Sequence, residues 1–240
     1  MSRVQSVWPT LRLGAILTAW KLYRSDWFTW SLAMLVSLVG IGLLQGAFLL
    51  LLRVTGLGIF GGLVGLGHPV GVVYANILVG IVVYGLFLGG MMRMAVRQIR
   101  GRRPRLEDLF DISDVWLDLL LGSVVVGLPV LIGWQLLVIP GWIAAGLLMF
   151  TFPLIVDGGL PATAAARQSF EALRSQWVLA AVTHLVIAAV AGSGALLLGI
   201  GLLVTGPLYV LSIAVLYTEM FLDPLAPIWR KPHGVFEDEW

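Results

Sequence analysis

The chain has 240 residues, of which 59% are hydrophobic and 12% charged, with a mean hydropathy of +0.97. A soluble domain carries about 25% charged residues, so a water-solvated globule is excluded and lipid is the solvent implied. The absence of cysteine excludes disulfides, a thiolate nucleophile and Cys-ligated metals, while the net charge of +2 matters less than its distribution.

Residues 1–27 contain Arg3, Arg12, Lys21 and Arg24 but no continuous apolar core. They do not read as a cleavable signal peptide, so the first span is expected to be its own insertion signal. They read as an amphipathic cytoplasmic segment, with Leu13, Ile16, Leu17, Trp20 and Trp27 on one side and Lys21, Arg24 and Ser25 on the other. Spans need about 20 mostly apolar residues, and the first is expected over 28–52, ending at Arg53. The glycine-rich stretch 54–68 is expected to lie against the outer membrane face, with re-entry into the membrane an open alternative. A second span is expected over 69–92, a polar segment over 93–114 and a third span over 115–137. Val138-Ile139-Pro140-Gly141 is expected to form a tight turn, because proline interrupts helical hydrogen bonding and glycine permits reversal. A fourth span over 142–156, an amphipathic segment over 161–176, and spans over 177–198 and 202–222 follow. The tail, 223–240, contains three prolines and is expected to be extended. The fold class expected is therefore all-α: a polytopic membrane bundle of six helices arranged as three hairpins, occupying 28–222.

Orientation follows from the basic residues of the short loops. With the N-terminus in the cytoplasm, 14 of the 15 lysines and arginines fall on the cytoplasmic side, and only Arg53 lies outside. Both termini are thus expected inside.

An internal threefold pattern accompanies the hairpins. Ser25-Asp26-Trp27, Ser113-Asp114-Val115-Trp116 and Ser175-Gln176-Trp177 precede the odd-numbered spans, and Pro69, Pro140 and Pro207 lie at or near the start of the even-numbered ones. Each hairpin is preceded by a short segment of helical apolar period. The second shows Leu106, Leu109, Phe110 and Leu117; the third shows Ala162, Ala165, Ala166, Phe170, Leu173 and Trp177, with Arg167, Glu171 and Arg174 opposite. Such helices either lie in the headgroup plane, where tryptophan is favoured, or pack on the cytoplasmic surface of the bundle.

The segment Val138-Ile139-Pro140-Gly141-Trp142, followed by Phe152-Pro153-Leu154-Ile155-Val156-Asp157-Gly158-Gly159, resembles a bacterial six-span membrane family. That family includes YciC-like proteins and the membrane domain found ahead of the catalytic domain in some glycerophosphodiester phosphodiesterases. Leu106-Glu107-Asp108-Leu109-Phe110, Ala164, Ser169, Trp177 and Thr205-Gly206-Pro207 continue the similarity, which covers most of 10–222. The resemblance implies a scaffold in the bacterial inner membrane. It implies no phosphodiesterase chemistry, since the catalytic barrel and its metal ligands have no counterpart in this sequence.

Ionisable residues inside spans are costly and become candidates for function. His184, seven residues into the fifth span, is the one position suited to a haem or chlorophyll-type metal or a proton relay; the alternative is a neutral histidine hydrogen-bonded to a neighbouring helix. No other feature calls for a cofactor. Asp118, Asp157, Glu219, Arg93 and Arg97 fall near cytoplasmic span ends, where they form either a belt of ion pairs or, for Asp118 and Glu219, a cation or proton site. Lys21, Arg24, Arg100, Arg102, Arg103 and Arg105 are candidate lipid-headgroup contacts; beside a membrane the run 100–105 reads as topology and anionic-lipid attraction, with no nucleic acid implied. The pairs Gly42/Gly46, Gly85/Gly89 and Ala188/Gly192 have the spacing that lets helices approach closely, within the bundle as the leading expectation or with another subunit as the alternative. With no catalytic motif and no polar path across the spans, the leading expectation is a non-enzymatic accessory or scaffold subunit, or a membrane-organising factor, whose partners are lipids and other membrane subunits. A permease component for a lipid-like or hydrophobic substrate, and a pigment- or haem-associated subunit using His184, are the alternatives.

Overall fold

The computed structural model describes residues 14–54, 69–196 and 199–222. The expectations for the 55–68 loop, the tail, Arg3 and Arg12 fall outside the described residues. Among those described, every regular element is helical. Six helices are long and apolar enough to cross a membrane, and the chain is an all-α membrane-embedded bundle.

In chain order the helices are α1 (Ala15–Ser25), α2 (Trp27–Val54), α3 (Pro69–Ile99), α4 (Glu107–Phe110), α5 (Trp116–Leu136), α6 (Val138–Leu147), α7 (Thr151–Val156), α8 (Ala162–Leu173), α9 (Trp177–Gly192) and α10 (Leu202–Tyr217). The spans are α2, α3, α5, the pair α6–α7, α9 and α10. A 3₁₀ turn, Ser193–Leu196, extends α9, and a π-helical turn, Thr218–Leu222, extends α10.

The threefold pattern has a backbone counterpart. Trp27, Trp116 and Trp177 are each the first residue of an odd-numbered span. The residue before each leaves helical geometry in the same way: Asp26 at φ −137°, ψ 39°; Val115 at −128°, 10°; Gln176 at −126°, 37°. All three indoles are half-exposed, the placement tryptophan favours at a membrane–water boundary.

Several boundaries differ from those expected. The second span does not stop at Met92; α3 continues through Arg93 and Arg97 to Ile99. Basic residues suit a helix C-terminus, and these two are matched by carboxylates. The helix then ends in a Schellman arrangement: Gly101, at φ 82°, donates its N–H to Gln98 O, and Arg102 N–H reaches Arg97 O. Pro140 makes no turn. The reversal is confined to Leu137, at φ −160°, ψ 146°, and Pro140 sits in the first turn of α6, where no backbone N–H is needed. The fourth span is broken at 148–150 into α6 and α7. The second amphipathic segment is the single turn α4, burying Leu109 while Phe110 and Leu117 are exposed.

The short helices pack on the bundle. α1 lies on α10, α4 on α3, and α8 on α5 and α7. α8 buries Ala162, Ala165, Ala166 and Leu173 as expected, plus Ser169, but Phe170 and Trp177 stay exposed. For α1 the expected face is wrong. Ala15, Thr18, Ala19, Leu22 and Tyr23 are buried, whereas Leu17 and Trp20 share the exposed side with Lys21 and Arg24. Small residues let the helix approach α10 closely, and that gain outweighs the bulk of the opposite stripe. Glycine packing also divides. A Cβ at Gly85 would strike Ser123, and one at Gly89 would strike Leu119, whereas Gly42, Gly46 and Gly192 face open space, so the pairs Gly42/Gly46 and Ala188/Gly192 do not serve internal packing as expected.

The buried core is concentrated at one end of the bundle, where α1, the C-terminal half of α3, Leu119, α7, α8 and the C-terminal half of α10 meet. That end also carries the 93–114 segment and is called the basic end below. α10 is the central element, buried from Leu208 to Tyr217 apart from Tyr209.

Candidate functional site

The last three turns of α3 present polar side chains on two sides. At 100° per residue, Arg93, Arg97 and Arg100 share one face and Gln98 faces nearly opposite. Around them the basic end is tied together. Arg93, 8% exposed, grips Asp114 through two parallel bonds, Nη1–Oδ1 at 2.7 Å and Nη2–Oδ2 at 2.9 Å. Its Nη1 also donates to Asp111 O at 2.6 Å, and Nη2 reaches Val156 O at 3.4 Å. This bidentate fork is the strong form of an ion pair, and the Arg93 guanidinium holds the Asp114 carboxyl below its ordinary value of 3.8. Arg97 binds Asp108 and, at 2.5 Å, Asp111. Arg100 pairs with Asp157 at 2.7 Å, and Tyr217 donates its hydroxyl to the same carboxylate at 2.9 Å.

On the other side Gln98 organises the start of the first hairpin. Trp30 Nε1 donates to Gln98 Oε1 at 2.8 Å, while Gln98 Nε2 donates to Leu22 O at 2.9 Å, Asp26 Oδ2 at 3.1 Å and Ser25 Oγ at 3.2 Å. One amide thereby closes the kink between α1 and α2. Asp118 Oδ1 accepts the N–H of Ala162, the first residue of α8, at 3.1 Å, a helix-start contact that suits a carboxylate. Glu219 is half-buried in the π-helical turn. The belt of ion pairs is built by Arg93, Arg97 and Arg100 with their carboxylates, while Asp118 is bonded to the start of α8. Arg100 spends its charge on Asp157, whereas Arg102, Arg103, Arg105, Lys21 and Arg24 are exposed.

No family model, curated protein or solved structure matches this chain.

His184 lies apart from the clasp, about 10 Å along α9 from Trp177 at 1.5 Å per residue. Its Nε2 is 3.0 Å from the Tyr209 hydroxyl on α10, and its ring packs against Trp142 of α6 with centroids 5.6 Å apart. This is the hydrogen-bonded histidine of the alternative reading. It links three helices, with Nδ1 buried and lacking a hydrogen-bond partner.

Sequence reasoning gave no contact to three structural residues: Gln98, Tyr217 and Ser169, the last entering only through the family resemblance. Gln98 reads as one more polar residue in a basic run; its signal is its position on the face opposite the arginines. Ser169 sits among alanines, yet its hydroxyl donates to Leu147 O at 2.8 Å and accepts from Phe150 N–H at 3.2 Å, satisfying the broken fourth span. Tyr217 looks like an ordinary apolar position of the sixth span; nothing in its sequence neighbourhood marks it as a partner of Asp157.

Proposed function

We propose that this chain is a non-enzymatic accessory or scaffold subunit of a bacterial inner membrane, with its basic end in the cytoplasm, and that it belongs to the six-span family its motifs resemble. The observation that carries this reading is the first span. Along the 28 residues of α2 only Trp30, Ala33 and Ser37 are buried. Leu35, Val39, Leu43, Leu44 and Leu50 are exposed, and Gly42 and Gly46 open outward at the spacing that lets another helix approach closely. A span so little used by its own bundle is a lateral surface for a neighbour. The polar clasp supports a framework role, because its arginines and carboxylates are engaged in holding helices together.

The test is gentle purification from native membranes, with mass spectrometry of everything that co-purifies and an absorbance scan. A stoichiometric membrane protein that is lost on Gly42→Leu/Gly46→Leu supports the proposal. A lone chain carrying only lipid overturns it.

A permease for a lipid-like substrate is the second reading, favoured by the concentration of buried side chains at the basic end and the lighter packing of the opposite end. It predicts flux of a hydrophobic substrate in proteoliposomes.

A further inference from the structure

Between the first turns of α2 and the segment leading into α4 lies a cleft of about 350 Å³. Phe28, Leu32 and Leu106 supply its apolar wall, and Thr29, Arg105 and Glu107 its polar lip. The cleft begins beside Trp27, at the boundary level marked by the three exposed indoles, and Leu32 extends it one turn further along the span. A site polar at that level and apolar below it has the two-part chemistry of a glycerophospholipid. Its volume is in the range of small-molecule sites, about 300–1,000 Å³.

The charges nearby separate into two classes. Arg93, Arg97 and Arg100 each hold a carboxylate. Arg102, Arg103 and Arg105 are exposed and make no ion pair among the described residues. Against these three stand Glu107 in the cleft, Asp26 just before α2, whose carboxylate takes only neutral donors, and the one carboxylate charge by which Asp108 and Asp111 exceed Arg97. The charges around the cleft therefore nearly balance, and the attraction for an anion is local to Arg105. Arg105 is also well supported: Pro104 is buried, the Arg105 N–H donates to Asp108 Oδ2 at 3.0 Å, and Leu109 is seated against Gly90 of α3. A guanidinium on a fixed backbone loses less freedom on binding than one on a mobile loop. Thr29 offers a hydroxyl on the same lip.

We propose that this cleft is a binding site for one anionic glycerophospholipid, its phosphate taken by Arg105 and Thr29 and an acyl chain lying along Phe28 and Leu32. Glu107 faces the same ligand and opposes its negative charge, limiting affinity. Phe28 and Leu32 share the α2 face of Gly42 and Gly46 at about 100° per residue, so the lipid site is tested on the chain free of any protein partner.

Native mass spectrometry of the whole chain in detergent, titrated separately with phosphatidylglycerol and phosphatidylcholine of equal chain length, tests it. The first phosphatidylglycerol is expected to bind more tightly than phosphatidylcholine. Arg105→Gln should weaken it about tenfold, the scale of one charge-assisted hydrogen bond, with an unchanged unfolding midpoint. Arg174→Gln, at an exposed arginine outside the cleft, should leave binding unaltered. Leu32→Trp should fill the cleft and abolish the first binding step, and Glu107→Gln should tighten it. The proposal is overturned by equal binding of the two lipids, or by equal losses in the Arg105 and Arg174 variants, which would mean diffuse attraction. It is also overturned if soluble glycerol phosphate displaces the lipid at matching concentration, or if Glu107→Gln weakens binding and phosphatidylethanolamine is preferred, which would mark an aminophospholipid site.

Discussion

Replacing Gln98 by leucine keeps the bulk of the side chain and removes one acceptor and two donors from the kink between α1 and α2. Trp30 is fully buried, so its indole N–H loses the partner that Gln98 supplied at 2.8 Å, whereas the Leu22 carbonyl keeps the Ser25 hydroxyl at 2.8 Å. An unsatisfied buried polar group costs about 1–3 kcal/mol, with water entry reducing the loss toward its lower end. Reversible unfolding in mixed detergent–SDS micelles, followed by circular dichroism, measures the loss. The decisive measurement is the double variant Gln98→Leu/Trp30→Phe. Once the indole N–H is gone, part of the penalty must disappear, so the double variant should be more stable than the sum of the single losses predicts. Strict additivity, or a Gln98→Leu loss below about 0.5 kcal/mol, within the range of ordinary surface substitutions, would refute the account of Gln98 as the closure of that kink.

Ser169→Ala should destabilise by about 1–3 kcal/mol in the same assay, because it orphans the Phe150 N–H at the break in the fourth span; Ala164→Ser, at an exposed position of α8, should have no effect. Gly90→Ala should destabilise while Gly42→Ala should not, since a Cβ at Gly90 meets the Leu109 backbone, which cannot rotate away, while Gly42 is open. At Gly42 the alanine should be neutral or stabilising by up to about 1 kcal/mol through helix propensity; equal effects at both sites would contradict the packing described. The Asp114 carboxyl is held low by Arg93, so its contribution is present above its unfolded value near 3.8 and is lost as pH falls through its lower folded value. Unfolding midpoints of the parent chain should therefore fall toward those of Asp114→Asn below about pH 4 and exceed them at pH 7.

How far the site was legible depends on what each residue signals locally. The arginines at 93 and 97 announce a charged belt because charge near a span end needs a partner or a headgroup, whereas Arg100, expected to meet headgroups, pairs with Asp157. Which partner each takes was not legible, since Asp108, Asp111 and Asp114 are all near enough in sequence to serve, and Asp157 is brought in from 57 residues away. The face of α1 was misread because bulk was weighted over smallness. Leu17 and Trp20 are larger than Ala15, Thr18 and Ala19, yet only the small set permits close contact with α10.

The sequence by itself determined the solvent, the number of spans and their alternation, because apolar runs of membrane length must be satisfied internally as helices wherever they lie. It also determined the threefold rhythm, since each tryptophan-led span start recurs as the same backbone kink. Only the tertiary structure decided the rest: that Pro140 lies inside a helix, that Asp118 serves α8, and that His184 bonds to Tyr209. It decided too that Gly85 and Gly89 pack inward while Gly42 and Gly46, with the same spacing, do not. These assignments depend on which helices become neighbours, and within lipid neighbours are chosen by close packing and polar pairing. That choice is made between residues far apart in the chain, and no local pattern records it.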